Sequence, residues 1–388
     1  MSNIVKKNLD VVFIFLLMLL VFGCIMFYVG NSDLPAHANI ALDMLNNNRL
    51  FSTNFLMYFC VNILTFFSGN IFCMCIVLVV LIALSNTLKY KFVKDELLDK
   101  YDDKIASLSS FTLLFVYIIP VFYFLKYIGF FQNTHNMYMG YFVPNVWHNS
   151  TILCMMPFAI KVFQLSVKQL KEYETHRNIK IALYLTISTL IKPSFFFIYM
   201  VAYPIVMLFR YGFSYRFFVG MLPVLIGCLC MLYEYFTIYM VATDESGVVI
   251  SFSHILTCEF WKSHILYFLV SLAFPLLFLL LYRTQVCNDY EFWFVLLMLV
   301  SAIGISWCCV ETGSRAMHGN FTWQVVSAMW FVYYYMLKII LRDDSCELAL
   351  PNTIGGGIRS CVIKMVYSLH VLMGLVYLLR FLFTKNFG

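Results

Sequence analysis

The stretch LDVVFIFLLMLLVFGCIMFYVG, residues 9–30, holds one charged side chain, Asp10, and no proline. A run of this length spans about 30 Å of hydrocarbon at about 1.5 Å per helical residue. Lipid offers backbone amides no hydrogen-bond partner, so the run must be helical. The next stretch, NSDLPAHANIALDMLNNNRL at 31–50, carries Asp33, His37, Asp43 and Arg49. Such groups are costly in lipid, so this segment has left the bilayer.

The same pattern recurs along the chain. Of 388 residues, 62% are hydrophobic and 12% are charged, and mean hydropathy is +0.83. Ordinary soluble domains are about 45–50% apolar and about 25% charged, so a soluble fold cannot hide this surface. Apolar runs at 9–30, 70–88, 107–127, 151–167, 178–192, 194–210, 216–239, 262–282, 291–309, 322–341 and 361–383 predict roughly eleven spans in one all-α, polytopic transmembrane helix bundle. Residues 51–67 read as a re-entrant or interfacial helix, with a single crossing at 70–88. Two short spans over 51–88 are the alternative, and they would reverse every later loop. The first run is too long for the core of a cleavable signal peptide.

Basic residues set the expected orientation. Lys6 and Lys7 precede the first span, which places the N-terminus in the cytoplasm. Alternate loops then carry Lys89, Lys91, Lys94, Lys100 and Lys104, then Lys168, Lys171, Arg177 and Lys180, then Arg210, Arg216, Arg283, Arg342 and Arg359. The net charge of +6 reports these loops, and no basic stripe with interleaved aromatics points to nucleic acid. Most of the thirteen cysteines sit in apolar runs without CxxC spacing and read as small core residues. The glycines at 355–357 read as a flexible turn.

With that orientation, His37, His135, His148, His254, His264 and His318 all fall on the outer side. So do Asp33, Asp43, Asp244, Glu245, Glu259 and Glu311, with Glu234 near them. The outer loops are 31–69, 128–150, 240–261 and 310–321. In the first, Leu34, Ala38, Ala41, Leu42 and Leu45 recur at helical spacing and predict an amphipathic helix over 34–47 on the membrane surface. Asp33 and His37 share one face of it. Asp33 fits a helix cap as well as a functional carboxylate.

Trp147, His148 and Asn149, in PNVWHNST, combine an aromatic face with hydrogen-bonding groups, a mixture suited to a sugar ring. An interfacial aromatic belt with polar capping is the plain alternative. Glu311, Arg315, His318 and Asn320 lie in ETGSRAMHGNFTWQ, 311–324. Arginine recognises phosphate oxygens in a forked geometry, so Arg315, with His318 or Lys262, is the candidate phosphate site. Glu311 and Asn320 join the sugar-binding candidates. The 240–264 segment is the candidate gate for substrate.

The layout resembles the GT-C superfamily of membrane glycosyltransferases and the related bacterial surface-polysaccharide polymerases. NSDLPAH with its following helix is similar to the first outer loop of many GT-C members, which carries an essential acidic residue. The resemblance gives Asp33, with His37, the catalytic role. It implies a polyprenyl-phosphate- or diphosphate-linked sugar donor, a glycan acceptor, membrane lipid around the protein, and polysaccharide-assembly partners in a bacterial inner membrane. It implies either an O-antigen-type polymerase or a single-sugar transferase. The sequence has no large soluble C-terminal domain and no second clear Asp-Glu pair, so no cofactor is expected, although Asp33, His37, Glu311 and His318 would suit a divalent cation if their loops meet. The competing class is a transporter or flippase, for which the Lys192-Pro193 break is the best argument.

Overall fold

The first apolar run folds as α1 (Leu9–Cys24), continues through a π-turn at Ile25–Val29, and stops at Gly30. Gly30 has φ 68°, a conformation open to glycine without the clash a Cβ would bring. The computed structural model describes residues 9–30, 32–51, 54–127, 137–138, 140–237, 247–252, 259–313, 320–344 and 354–386. Two shorter helices follow α1: α2 (Asp33–Asn46), the amphipathic helix expected over 34–47, and α3 (Phe55–Leu64). The α2 residues Leu34, Ala38, Ala41 and Met44 are buried. Asn62 of α3 donates to the carbonyls of Ala41 and Tyr58 at 3.0 and 3.1 Å, tying the two helices together.

The bundle continues with α4 (Ile71–Leu97), α5 (Asp103–Phe115), α6 (Val121–Tyr127), α7 (Ser150–Lys171), α8 (Arg177–Ile191), α9 (Ser194–Tyr211), α10 (Tyr215–Gly220) and α11 (Leu222–Tyr235). Then come β1 (Gly247–Ile250), α12 (Glu259–Val286), α13 (Tyr290–Cys308), β2 (Cys309–Thr312), α14 (Trp323–Asp344) and α15 (Ile354–Thr384). The two strands pair antiparallel, with Val248 opposite Glu311. Among the described residues, nine helices are long and apolar enough to cross a membrane, which makes this a multi-pass membrane protein.

Burial sorts those helices. The candidate spans Ser150–Lys171 and Asn320–Asp343 are 83% and 89% buried, against 22% for Tyr215–Tyr235. The first two form the centre and carry polar side chains that find partners inside the protein. Gln164 donates to the carbonyl of Phe92 at 2.9 Å and to the Tyr334 hydroxyl at 3.2 Å, and Ser166 bonds Tyr199 at 2.9 Å. Peripheral helices turn most of their surface to lipid and keep polar side chains only where the protein meets them, as Glu234 of Tyr215–Tyr235 does at the Asn54 amide.

Three expectations change. The predicted span 107–127 is broken at 116–120, just before α6, because Pro120 disfavours helix at the residue before it. Its freed backbone groups are satisfied from distant parts of the chain. Asn145 donates to Leu113 and Val116 at 3.1 and 2.8 Å, and Trp330 donates to Leu113 at 3.2 Å. The Tyr117 amide donates to the His370 carbonyl at 3.0 Å. Inside a bilayer such groups need protein partners, and the break has them. Second, Gly355, Gly356 and Gly357 lie within α15 rather than in a turn. Third, Lys89, Lys91 and Lys94 are not loop residues: α4 runs to Leu97, and Lys89 is buried, its Nζ 2.6 Å from Asn145 Oδ1 and 4.8 Å from the centre of the Trp330 ring.

Charged pairs gather at one end of the bundle, formed by the starts of α1, α5, α13 and α15 and the ends of α4 and α14. Lys94 pairs with Asp10 at 2.6 Å and Asp103 at 2.8 Å. Lys338 pairs with Glu96 at 2.9 Å and also with Glu291, while Arg342 meets Asp289 and Arg359 meets Asp343. The opposite end holds α2, α3 and the strand pair.

Candidate active site

At that opposite end the chain brings together residues from four separate segments. The α2 helix lies against α3, α4 and α7. Ser32 precedes it with an extended backbone but makes no side-chain cap, so the first turn is left with Asp33, a favourable charge at a helix N-terminus. The start of α7 is capped by Asn149, whose Oδ1 accepts from the Ile152 amide at 3.1 Å and from the Thr151 hydroxyl at 2.8 Å. With its oxygen so engaged, the Asn149 amide hydrogens serve the Asp33 carboxylate. Burial raises the Asp33 pKa above the usual carboxylate range, and the nearby Lys192 charge and the Asn149 hydrogen bond offset part of that rise.

One turn further on, His37 Nδ1 lies 2.6 Å from the Tyr58 hydroxyl of α3, the two rings stacked 5.8 Å apart. Burial pushes the His37 pKa down to about 3, and the Lys192 and His148 charges act in the same direction. His37 is therefore neutral at physiological pH. His148 is buried too, with Tyr138 edge-on at 4.7 Å and Trp323 at 5.9 Å, and burial pushes its pKa down to about 4.

Lys192 is the group these residues share. It terminates α8 in extended backbone, and Pro193 opens α9. A cation at a helix C-terminus is favoured by the helix dipole. The side chain is buried, with Nζ 5.3 Å from the centre of the Trp323 ring. Lys192 also lines a cavity of about 300 Å³, shared with Asn54, Glu234, Glu311 and Asn320 among apolar side chains that include Phe197, Met200 and Met231. Glu234, at the end of α11, is fully buried and accepts from the Asn54 amide at 2.8 Å through Oε2. Glu311 on β2 accepts from the Asn320 side chain at 2.8 Å.

Of the residues expected from sequence, Asp33, His37, His148 and Asn149 gather near Lys192, and Glu311 and Asn320 line the cavity with it. Trp147 departs from expectation. It is packed between Tyr117 and Tyr377, with ring centres 5.8 and 5.6 Å away, and only 3% of it is exposed. Its indole is consumed by core packing and has no open face for a sugar. Arg315 and His318 lie outside the described residues, as do His135 and His254 and the Lys262 and His264 side chains. The residues that sequence reasoning did not place in the site are Lys192, Glu234, Asn54, Tyr58 and Trp323. For Lys192 a signal existed: it is the lone charge between two apolar runs, 181–191 and 193–209. Among the described residues no three His, Cys, Asp or Glu side chains cluster in a way that could hold a metal ion.

The arrangement joins a partly buried carboxylate of raised basicity to a buried ammonium, beside an apolar cavity with two further carboxylates. Comparison with protein-family models finds no match, and comparison with curated proteins finds no significant similarity.

Proposed function

We propose that this chain is a GT-C-like membrane glycosyltransferase that uses a polyprenyl-phosphate- or diphosphate-linked sugar. The reading rests on one observation: Asp33, Asn149 and Lys192, from three distant segments, meet at one end of an apolar bundle beside a cavity. In this reading the acceptor hydroxyl attacks the anomeric carbon of the donor, and its proton passes to the Asp33 carboxylate. The bond from that carbon to the phosphate oxygen breaks, and the electron pair leaves with the polyprenyl phosphate. Lys192 stabilises the charge that develops there, the role first given to Arg315. Asn149 holds the base in position, and neutral His37 and His148 shape the pocket.

Topology fits the same reading. In this reading the broken α5–α6 pass and α8 join the nine long helices of the described residues, and the resulting eleven passes alternate between the two ends. The end rich in lysine and arginine is then cytoplasmic and the Asp33 end external, in a bacterial inner membrane.

The test is complementation of a deletion strain. Asp33→Asn is expected to insert normally but to fail in polysaccharide assembly. Normal glycan from that variant overturns the assignment. Single-repeat glycans in the deletion strain identify a polymerase, and full-length chains lacking a branch identify a single-sugar transferase.

A transporter or flippase is the second reading, favoured by the buried Lys89 inside α4, since intramembrane cations line transport paths in many carriers. Transfer of labelled lipid-linked glycan across proteoliposomes without new glycosidic bonds is the result that selects it.

A further inference from the structure

We infer that the cavity bounded by Lys192 and Glu234 is the binding site for the head of a lipid-linked sugar, with Glu234 accepting hydrogen bonds from the sugar hydroxyls and Lys192 meeting the phosphate. This deepens the glycosyltransferase reading and rests on it.

Three observations carry the assignment. The first is Glu234 itself. Its side chain is fully buried, yet only Oε2 is engaged, by the Asn54 amide. Oε1 has no partner among the described residues. A buried carboxylate oxygen left unsatisfied costs more than a hydrogen bond returns, so such groups are retained where a ligand completes them. The carboxylate lines the cavity and is held from behind by a backbone amide, which leaves its second oxygen for a donor inside. Sugar hydroxyls are such donors.

The second is the cation. Lys192 lines the same cavity and lies near enough to Asp33 for its charge to act on that carboxylate. A phosphate at Lys192 would place the sugar it carries between the ammonium and Glu234, and would put the reacting carbon on the side of the Asp33 carboxylate. One shared lysine thus connects a binding half and a chemical half.

The third is the wall. Phe197, Met200, Met231, Val248, Ile250 and Ile305 supply apolar surface, and the cavity's rim residues Tyr235 and Ile250 are exposed, Ile250 at 67%. Beside that rim, α11 turns Leu225, Leu229 and Leu232 outward. In a bilayer this flank faces acyl chains. A ligand with a polar head and a long hydrocarbon tail fits both parts: the head inside, and the tail leaving sideways past β1 and α11. A water-soluble nucleotide sugar would have no use for that flank.

The experiment measures affinities of the purified full chain in detergent for two probes, undecaprenyl phosphate and undecaprenyl-phosphate-glucose. Wild type is expected to bind both, the glucosylated lipid more tightly. Glu234→Gln keeps an oxygen for the Asn54 amide but loses the charge. It is expected to weaken the glucosylated probe about tenfold, the loss of a hydrogen bond to a charged group, and to leave undecaprenyl phosphate unchanged. Lys192→Met is expected to weaken both probes. Ile250→Trp, at the exposed rim and away from the core, is expected to obstruct both.

Wild-type affinity for Glu234→Gln, or equal wild-type affinity for the two probes, overturns the role of Glu234. Unchanged binding by Ile250→Trp overturns sideways access. Asp33→Asn separates the two levels of the argument. If it binds both probes and transfers nothing, the glycosyltransferase reading stands whatever Glu234 does. If wild type binds neither probe, that reading falls together with the cavity assignment.

Discussion

Lys192 stands with its Nζ 5.3 Å from the centre of the Trp323 ring, joining the end of α8 to the start of α14, where it lines the cavity and its charge acts on the Asp33 carboxylate. The aromatic face compensates part of the desolvation that burial imposes on the ammonium. The position of this one charge sets the electrostatics of the whole site.

Replacing it by methionine should therefore do two things. Transfer activity should fall by about 10²–10³-fold, the usual effect of deleting one preorganised electrostatic contact. The residual activity should also have a different pH profile. Asp33 works as a base only when ionised, so the rate drops as pH falls through its pKa. Lys192 lowers that pKa, and its loss should move the acid limb to higher pH. Rate measured against pH for Lys192→Met checks both effects, and an unmoved limb would separate the lysine from Asp33.

Asn149→Asp offers a cleaner separation of fold from chemistry. Aspartate caps a helix as well as asparagine does, so the start of α7 should still form, while a second carboxylate at this buried position, beside Asp33, should lower thermal stability at neutral pH, a loss that shrinks on acidification. The new carboxylate, however, faces Asp33 in place of a donor. A like charge raises a neighbouring carboxylate's pKa, so the acid limb should shift upward by roughly 1–3 pH units. Thermal unfolding and the pH–rate profile, measured on the same preparation, give the two readouts.

His37 and His148 make stability depend on pH with a definite sign. Both are held neutral in the fold, with pKa values of about 3 and about 4. In the unfolded chain a histidine takes up a proton near about pH 6.5. Below that pH the unfolded state binds more protons, so stability falls as the solution is acidified, by up to about 1.4 kcal/mol per pH unit for each histidine. The loss continues until the folded-state values are reached. Melting midpoints should drop between pH 7 and pH 5, and His148→Gln should flatten that slope.

The broken pass between α5 and α6 is tested by glycine. A Cβ at Gly374 would lie 1.4 Å from the Phe115 carbonyl oxygen, which is backbone and cannot swing aside. Gly374→Ala should destabilise by about 1–3 kcal/mol or more, the range for overpacking. Gly304→Ala, with nothing within 4 Å of the added carbon, is the control and should be neutral or better. Detergent-solubilised melting curves of the two variants make the comparison.

At the other end of the bundle, Lys338 sits between Glu96 and Glu291, and Glu291 is only 2% exposed. Lys338→Met removes the shared cation and leaves two carboxylates facing each other. A loss of about 3–5 kcal/mol is expected, as for breaking other buried ion pairs. The triple change Lys338→Met, Glu96→Gln, Glu291→Gln should recover much of it in the same unfolding assay.

Much of the architecture was legible before any coordinates. The first run, the amphipathic helix at 33–46 and the helix–proline break at 192–193 all appear where hydropathy and helix chemistry put them. Parts of the candidate site were legible as well, because Asp33, His37, His148, Asn149, Glu311 and Asn320 share one end of the bundle. The misreadings have a common cause. Lys89 looked like a loop lysine because a charge at the end of an apolar run normally marks the water boundary. Asn145 and Trp330, distant in the chain, receive it inside the protein instead. Trp147 looked like a sugar platform because its neighbours are polar, yet Tyr117 and Tyr377 cover it.

The sequence alone determined that the chain spans a bilayer many times through helices, because each peptide group in lipid must be satisfied within its own segment, and that is a local requirement. It also sorted polar groups between the two ends. Tertiary structure decided which of those groups touch: that Lys192 serves both Asp33 and the cavity, and that Glu234 is buried with one oxygen unengaged. Those facts depend on how helices far apart in the chain pack against one another, and nothing in the local pattern of residues encodes that distance.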